Sequence, residues 1–144
     1  RSGLALAGAN TDIKGGSLPP EAENGLISAY EILNLDLSNT ELVVLSATET
    51  GLGHVLTGES ASALRRAFEL GGAETTVTSL WKIPNKQTNE LINYFYKNLL
   101  SGMSRSQSLR EAKLIIKAKY KDPYIWGGFI CHGDPCPLVS KSPS

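Results

Sequence analysis

The sequence has few of the features that mark several large classes of protein. It contains two cysteines, Cys131 and Cys136, too few for a disulfide-rich secreted domain. It has no run of about 18 apolar residues, which a membrane-spanning helix requires. Fourteen Lys and Arg balance fourteen Asp and Glu, so no excess of positive charge favours nucleic acid. We therefore expect a soluble cytoplasmic protein that binds neither nucleic acid nor a membrane.

An initiator methionine and a signal peptide are also absent from the start of the chain, where strand-like residues follow Arg1 directly. We interpret the sequence as a piece of a longer protein. With 144 residues, of which 41% are hydrophobic, it has the size of one domain.

Two common ligand-binding patterns are incomplete. Gly51 and Gly53 resemble a phosphate-binding loop, but the third glycine of a dinucleotide fingerprint would fall on Leu56. The Cys, His and Asp side chains of residues 131–136 do not have the spacing of a closed zinc site. We therefore predict no cofactor and no metal.

The most informative segment is Leu42–Gly53, in which an apolar run precedes a turn of small, hydroxylated and glycine residues. Such a run is typical of a buried strand, here Leu42–Ala47, in a parallel sheet. Because ligands of open α/β sheets bind beyond the carboxyl ends of the strands, Thr48, Glu49 and Thr50 are the first candidates for chemistry.

Hydrophobic periodicity predicts alternating strands and helices along the rest of the chain. The other predicted strands are Gly3–Ala9, Thr75–Ile83 and Ile125–Cys131. The predicted helices have apolar faces within Leu26–Leu33, Ala61–Gly71, Leu91–Leu99 and Leu109–Tyr120, with caps at Asn24, Asn85 and Ser104. This order predicts a parallel sheet flanked by helices.

Four blocks occur in order along the chain: SGLALAGAN, LVVLSATETGLG, TTVTSLWKIPN and PYIWGGFICHGDP. Together they resemble the C-terminal half of a CHAT domain, a caspase-like module related to separase and often joined to tetratricopeptide repeats. The resemblance covers residues 1–135 and leaves residues 136–144 as a flexible tail. It implies an α/β fold, a caspase-like three-layer α/β/α sandwich with a mainly parallel sheet. The upstream half of the domain and tetratricopeptide repeats are then the expected partners.

The resemblance also implies a cysteine and histidine dyad that cleaves peptide bonds. In this chain Thr48 holds the position of the cysteine, and both histidines, His54 and His132, follow it. A threonine hydroxyl is far less acidic than a thiol, and known threonine nucleophiles use an N-terminal amine as base. Thr48 is therefore a hydroxyl that caps the turn, an inactivating replacement or an unusual nucleophile.

The substrate-binding residues implied by the resemblance are Glu49, Trp81 and Asn85. In many CHAT sequences the position of Asn85 holds an aspartate that resembles the floor of a pocket for a basic side chain. An amide cannot neutralise a desolvated guanidinium, which would lose roughly 2 to 5 kcal/mol of pairing. Alternatively, position 85 serves mainly as a helix cap, where Asn and Asp are equivalent.

Two functions are consistent with these residues. In the first, the domain is a pseudopeptidase, or an impaired peptidase, that acts as an interaction or regulatory module. In the second, the chain is a piece of an active cysteine endopeptidase that cleaves protein substrates after a basic residue. The sequence leaves open whether the protein is an enzyme, and a protein or peptide is the expected ligand in both cases.

Overall fold

The computed structural model describes residues 3–5, 15, 25–46 and 58–138. The strands are β1 Gly3–Ala5, β2 Leu26–Ser28, β3 Val43–Leu45, β4 Thr75–Ser79 and β5 Phe129–Gly133. The helices are α1 Ala29–Ile32, α2 Gly58–Leu70, α3 Asn85–Leu100, α4 Arg105–Lys119 and α5 Pro123–Trp126. The predicted α/β class is confirmed. Within the described residues no helix is both long and apolar enough to cross a membrane.

The main sheet has the strand order β3-β4-β5. Strands β3 and β4 are parallel, as predicted, with Val44 opposite Val77. Strand β5 is antiparallel to β4, with Cys131 opposite Val77, whereas a parallel last strand was expected. The reason is that two helices, α3 and α4, connect β4 to β5. Helix α3 returns the chain to the end of the sheet where β4 began, and α4 carries it to the end where β4 stops. Strand β5 therefore runs in the direction opposite to β4.

The segment before β3 also differs from the prediction. Residues Leu26–Ser28 do not begin a helix but form β2, which is antiparallel to β1. Helix α1 starts only at Ala29, where the hydroxyl of Ser28 accepts a hydrogen bond from the Glu31 amide at 3.2 Å. Pairing with β1, which is distant in sequence, engages the backbone of Leu26–Ser28 and excludes the helix. The predicted cap Asn24 lies outside the described residues.

Strand β4 is the centre of the fold, since all five of its residues are buried. Val77 packs with Phe95 and Phe129 in a core beneath α3 and α4. On the other face of the sheet, the hydroxyl of Thr76 donates to the Glu69 carboxylate of α2 at 3.3 Å. Helices therefore cover both faces of β4, in agreement with an α/β/α arrangement.

The predicted helix caps are confirmed at one position and wrong at another. The hydroxyl of Ser104 accepts from the Gln107 amide at 3.2 Å and caps α4. For α3, however, Pro84 occupies the N-cap position and Asn85 is the first helical residue. Proline is suited to this boundary because its ring fixes φ. Asn85 is therefore not needed as a cap.

The start of the last strand also lies later than predicted. Ile125 and Trp126 belong to α5, and β5 starts at Phe129. The carboxylate of Asp122 caps α5 by accepting from the Tyr124 amide at 2.9 Å. Proline at the first helical position favours this short helix over an extended strand.

The chain remains attached to the domain beyond residue 135. The backbone carbonyls of Pro135 and Cys136 accept hydrogen bonds from the amides of Ser106 and Arg105 at the start of α4. Leu138 packs against the main core. A domain boundary at residue 135 stays a prediction.

Strand β5 ends at Gly133, where we expect a methyl group to be strongly destabilising. Gly133 has φ +102°, and an added Cβ would overlap the carbonyl oxygen of Glu74. Gly133→Ala should lower the free energy of unfolding by more than about 2 kcal/mol, measured by urea denaturation, because strain and overlap add.

Gly102→Ala is the matched control for this experiment. Gly102 has φ +92° but no atom within 4 Å of the added Cβ. Its alanine variant should therefore lose only the backbone strain, about 1 kcal/mol. Equal losses for the two variants would contradict the role of the close approach at Glu74.

Candidate functional site

The candidate cleft lies at the carboxyl end of the main sheet, where β3 and β4 both terminate. Leu45 at the end of β3 is paired with Thr78 near the end of β4. The chain leaves β3 at this end through Ser46, toward the turn predicted to carry the nucleophile position. Thr48, Glu49 and Thr50 lie outside the described residues, and so does His54.

Trp81 follows β4 at this end of the sheet and is firmly held. Its indole N–H donates a hydrogen bond to the carbonyl oxygen of Tyr124 at 2.7 Å. The rings of Trp81 and Tyr124 are stacked, with centroids 5.7 Å apart. Gly128 lies directly beneath, where a Cβ would come within 3.0 Å of the indole nitrogen. Trp81 and Tyr124 thus form an aromatic wall at the carboxyl end of the sheet.

The sequence prediction included Trp81 but missed Tyr124. The tyrosine belongs to α5, whose existence depends on the Asp122 cap and on Pro123. This pair is itself a sequence signal, since an N-cap residue followed by proline at the first helical position is typical of the start of a helix. The short helix that it starts places Tyr124 just before β5.

Asn85 lies exposed at the first position of α3, four residues after Trp81. The segment between them is fixed, because Ile83 is buried and its carbonyl accepts from the Thr88 hydroxyl at 3.3 Å. The amide of Asn85 adds no negative charge. The amino end of a helix instead carries a partial positive charge, so this position does not favour a cationic side chain.

The two thiols lie away from the carboxyl end of the sheet. Cys131 is opposite Val77 in the middle of β5, and burial raises the pKa of its thiol. Cys136 follows β5 at the amino end of β4, and a hydrogen bond with Asp134 raises the pKa of its thiol. A raised pKa leaves less thiolate, the form that acts as nucleophile.

His132 is likewise remote from the candidate cleft. It is paired with Thr76, near the start of β4, and its Nδ1 lies 3.1 Å from the Glu69 carboxylate. Among the described residues no three His, Cys, Asp or Glu side chains are grouped as a metal site would require.

The amino end of the sheet carries a cluster of charges that the sequence analysis missed. Arg105 is 1% exposed, and its guanidinium lies 3.0 Å from Glu74, 3.2 Å from Asp134 and 3.4 Å from Glu41. It also donates to the Thr75 hydroxyl at 3.2 Å. This cluster joins the start of α4 to three strands and lies at the end of the sheet opposite the candidate cleft. Its position indicates a structural role.

A signal for the buried arginine was present in the sequence. Arg105, Leu109, Ala112 and Ile116 follow the helical spacing of one face, and all four are buried. A charged residue on an apolar face predicts burial with a compensating partner.

The comparisons with known proteins agree with this architecture. The family model of the CHAT domain matches residues 1–134. Tetratricopeptide repeat protein 28 of Mus musculus is 34% identical over 134 residues, which cover 92% of this chain and 5% of that protein. The protein of the same name from Homo sapiens is 33% identical over 125 residues, covering 85% of this chain and 5% of its own length.

The chain therefore spans about 5% of the length of these curated relatives. No solved structure matches it. The family match extends from the first residue through β5, and it includes the candidate cleft and the aromatic wall. On this evidence the chain belongs to the CHAT domain family.

Proposed function

We propose that this CHAT domain is a pseudopeptidase that binds a protein or peptide segment and acts as an interaction or regulatory module. The observation that carries the proposal is Thr48 at the position where the family resemblance implies the nucleophilic cysteine. Without a thiol at this position, the domain lacks the thiolate that attacks a peptide carbonyl.

The positions of the two thiols support this proposal. Neither Cys131 nor Cys136 lies at the carboxyl end of the main sheet, and both have a raised pKa. The described histidine, His132, is near the start of β4. A substitute dyad from these side chains would have to form on the wrong part of the sheet.

The aromatic wall supports the binding half of the proposal. Trp81 and Tyr124 are stacked and partly exposed at the carboxyl end of the sheet, where α/β proteins bind their ligands. Aromatic side chains contribute large apolar areas to interfaces and lose little conformational entropy on binding. The domain thus keeps a surface for a peptide while it lacks the group that would cleave it.

The relatives suggest the setting in which this module acts. Both are named as tetratricopeptide repeat proteins, and this chain corresponds to a small part of each. We infer that the domain works beside such repeats, which would supply a second surface for the same partner and increase the effective concentration at the cleft.

The alternative is that the chain is a piece of an active cysteine endopeptidase that cleaves protein substrates after a basic residue. The aromatic wall is equally consistent with a working cleft, so a catalytic assay is required to separate the two proposals. This alternative is less well supported, because the chain has Thr48 at the position of the cysteine and Asn85 where a carboxylate would pair with the basic side chain.

The full natural protein should neither cleave a fluorogenic peptide with arginine before the reporter group nor react at this cleft with a thiol-directed peptide probe. The physical reason is the hydroxyl at position 48. The same peptide, with its fluorophore retained, should nevertheless bind to the domain in a polarisation assay. Trp81→Leu should weaken this binding more than the control Tyr94→Leu, which replaces an exposed aromatic residue of α3. Turnover that Thr48→Ala abolishes would overturn the proposal.

A further inference from the structure

A groove of about 430 Å³ separates α4 from β5. Its floor is apolar and consists of Leu109, Trp126, Phe129 and Cys131. One wall is basic, because Arg110, Lys113 and Lys117 occur at the spacing of a single helix side. No carboxylate lines this α4–β5 groove among the residues that the structure describes.

The groove follows the outer edge of β5 rather than one face of it. Successive side chains of a strand point to opposite faces of the sheet, yet Phe129, Ile130 and Cys131 all line the groove. On its other side β5 is paired with β4, and no described strand is paired with its outer edge. An unpaired edge offers backbone N–H and C=O groups to another chain.

Two of the three cations of the groove lack anionic partners within the described part of the chain, whereas the Arg110 guanidinium lies 2.7 Å from the Glu111 carboxylate. Lys113 is half-buried and has no carboxylate within ion-pair distance there, and burial lowers the pKa of its ammonium group. The Lys117 ammonium lies 4.9 Å from the centre of the Trp126 ring. The indole N–H of Trp126 is buried and has no acceptor in the described structure. The groove therefore presents donors and positive charge on an apolar floor.

We propose that the α4–β5 groove binds an acidic, apolar protein segment, which extends along β5 as an added strand. Alternate side chains of an extended segment are about 6.6 to 6.8 Å apart, and four residues of a helix, the separation of Lys113 and Lys117, span about 6 Å. Acidic side chains on the α4 face of the segment would therefore meet both ammonium groups, and its apolar side chains, on the other face of the sheet, would pack beside Ile130.

Charge distinguishes this occupant from residues 139–144 of the same chain. Residues 139–144 are VSKSPS, which contain a lysine and no acidic side chain. They do not complement a basic wall. The proposal does not depend on whether the cleft at the carboxyl end of the sheet is catalytic, because none of the groove residues belongs to that cleft's proposed nucleophile or aromatic wall.

The test uses the full natural protein and two libraries of fluorescein-labelled heptapeptides. One library alternates Glu with Val, Leu, Ile or Phe, and the other has Gln in place of every Glu. In fluorescence polarisation the acidic library should bind at least about tenfold more tightly at low salt, and the difference should shrink as salt rises. Hydrogen exchange at the amide groups of β5 should slow when acidic peptides bind, as strand addition requires.

Variants of α4 locate the binding site. Lys113→Glu should weaken binding of the acidic library at least about tenfold, because it replaces an attraction by a repulsion. Lys97→Glu, at an exposed position on α3 outside the groove, should change it less than about twofold. Unchanged melting temperatures verify that both variants are folded. Equal binding of the two libraries, or equal effects of the two variants, would overturn the proposal.

Two further results would identify a different occupant of the groove and would also overturn the proposal. If the unliganded protein dimerises and Lys113→Glu dissociates the dimer, the groove is occupied by a second copy. If deletion of residues 139–144 alone shifts the indole N–H resonance of Trp126, these residues fill the groove.

Discussion

Arg105→Met is expected to lower the free energy of unfolding by about 3 kcal/mol, since removing one partner from a buried ion pair leaves the others uncompensated. Arg105 is 1% exposed and contacts Glu41, Glu74 and Asp134. The three carboxylates would then repel one another at the amino end of the sheet. They are partly exposed, so water moderates the loss, which should fall at the lower end of the range for buried pairs.

Two further variants define the cause of this loss. Arg105→Lys keeps one positive charge but not the planar fork that reaches several carboxylates, so its loss should be intermediate. Arg66→Met removes an exposed arginine of α2 and should change stability by less than about 0.5 kcal/mol. Urea denaturation measures all three. If Arg105→Met is as stable as Arg66→Met, the cluster does not hold the strands together.

The loss should also depend on pH. The hydrogen bond from the Cys136 amide, followed by the Cys136 side chain and by Arg105, lowers the pKa of the Asp134 carboxyl in the folded protein. A lowered pKa contributes stability above the unfolded pKa, about 4, and this contribution is lost as pH falls through the folded pKa. Arg105 is one cause of the lowered pKa of Asp134, so this contribution is smaller in Arg105→Met. The difference between wild type and variant should therefore shrink below about pH 4.

Local patterns predicted the elements that depend on neighbouring residues. The unit from β3 through α2 to β4 has its run of apolar residues, its helix and its stop at Gly71 and Gly72 close together in sequence. The predicted start of the first helix at Leu26 was wrong because β1, more than twenty residues earlier, pairs with β2. No periodicity within a single segment contains that information.

The candidate functional surfaces also differ in whether a local sequence pattern could predict them. Trp81 and Asn85 could be assigned from the sequence because both lie near the end of one recognisable strand, although that strand, predicted to run to Ile83, ends at Ser79. The α4–β5 groove could not, since its walls come from two elements and its exposed edge arises from the direction of β5. The partners of Arg105 come from the starts of two strands and the end of a third. A sequence pattern can therefore indicate that Arg105 is buried but not which carboxylates compensate it.

Thr48→Cys in the full natural protein is expected to produce a cleft that reacts with a thiol-directed peptide probe and turns over peptide. A thiol ionises far more readily than a hydroxyl, and an imidazole from an earlier strand, as the family resemblance implies, would stabilise the thiolate. Base-assisted attack contributes about 10² to 10⁴ to the rate, so a gain of this order over the unchanged protein is the expected result in a fluorogenic assay.

Adding Asn85→Asp to Thr48→Cys tests the preference for a basic side chain separately from the nucleophile. A carboxylate at the exposed start of α3 should increase kcat/KM for an arginine peptide by about two- to fivefold, since an exposed ion pair contributes up to about 1 kcal/mol. The increase should be absent for a matched glutamine peptide. Asn85→Asp alone should remain inactive, because it supplies no nucleophile. An equal increase for both peptides would show that position 85 does not form the floor of the pocket.

A third outcome concerns Thr48→Cys alone. If the introduced thiol is labelled by the probe but no peptide is turned over, the thiol reaches the cleft and no histidine assists it. The domain would then have lost both halves of the dyad.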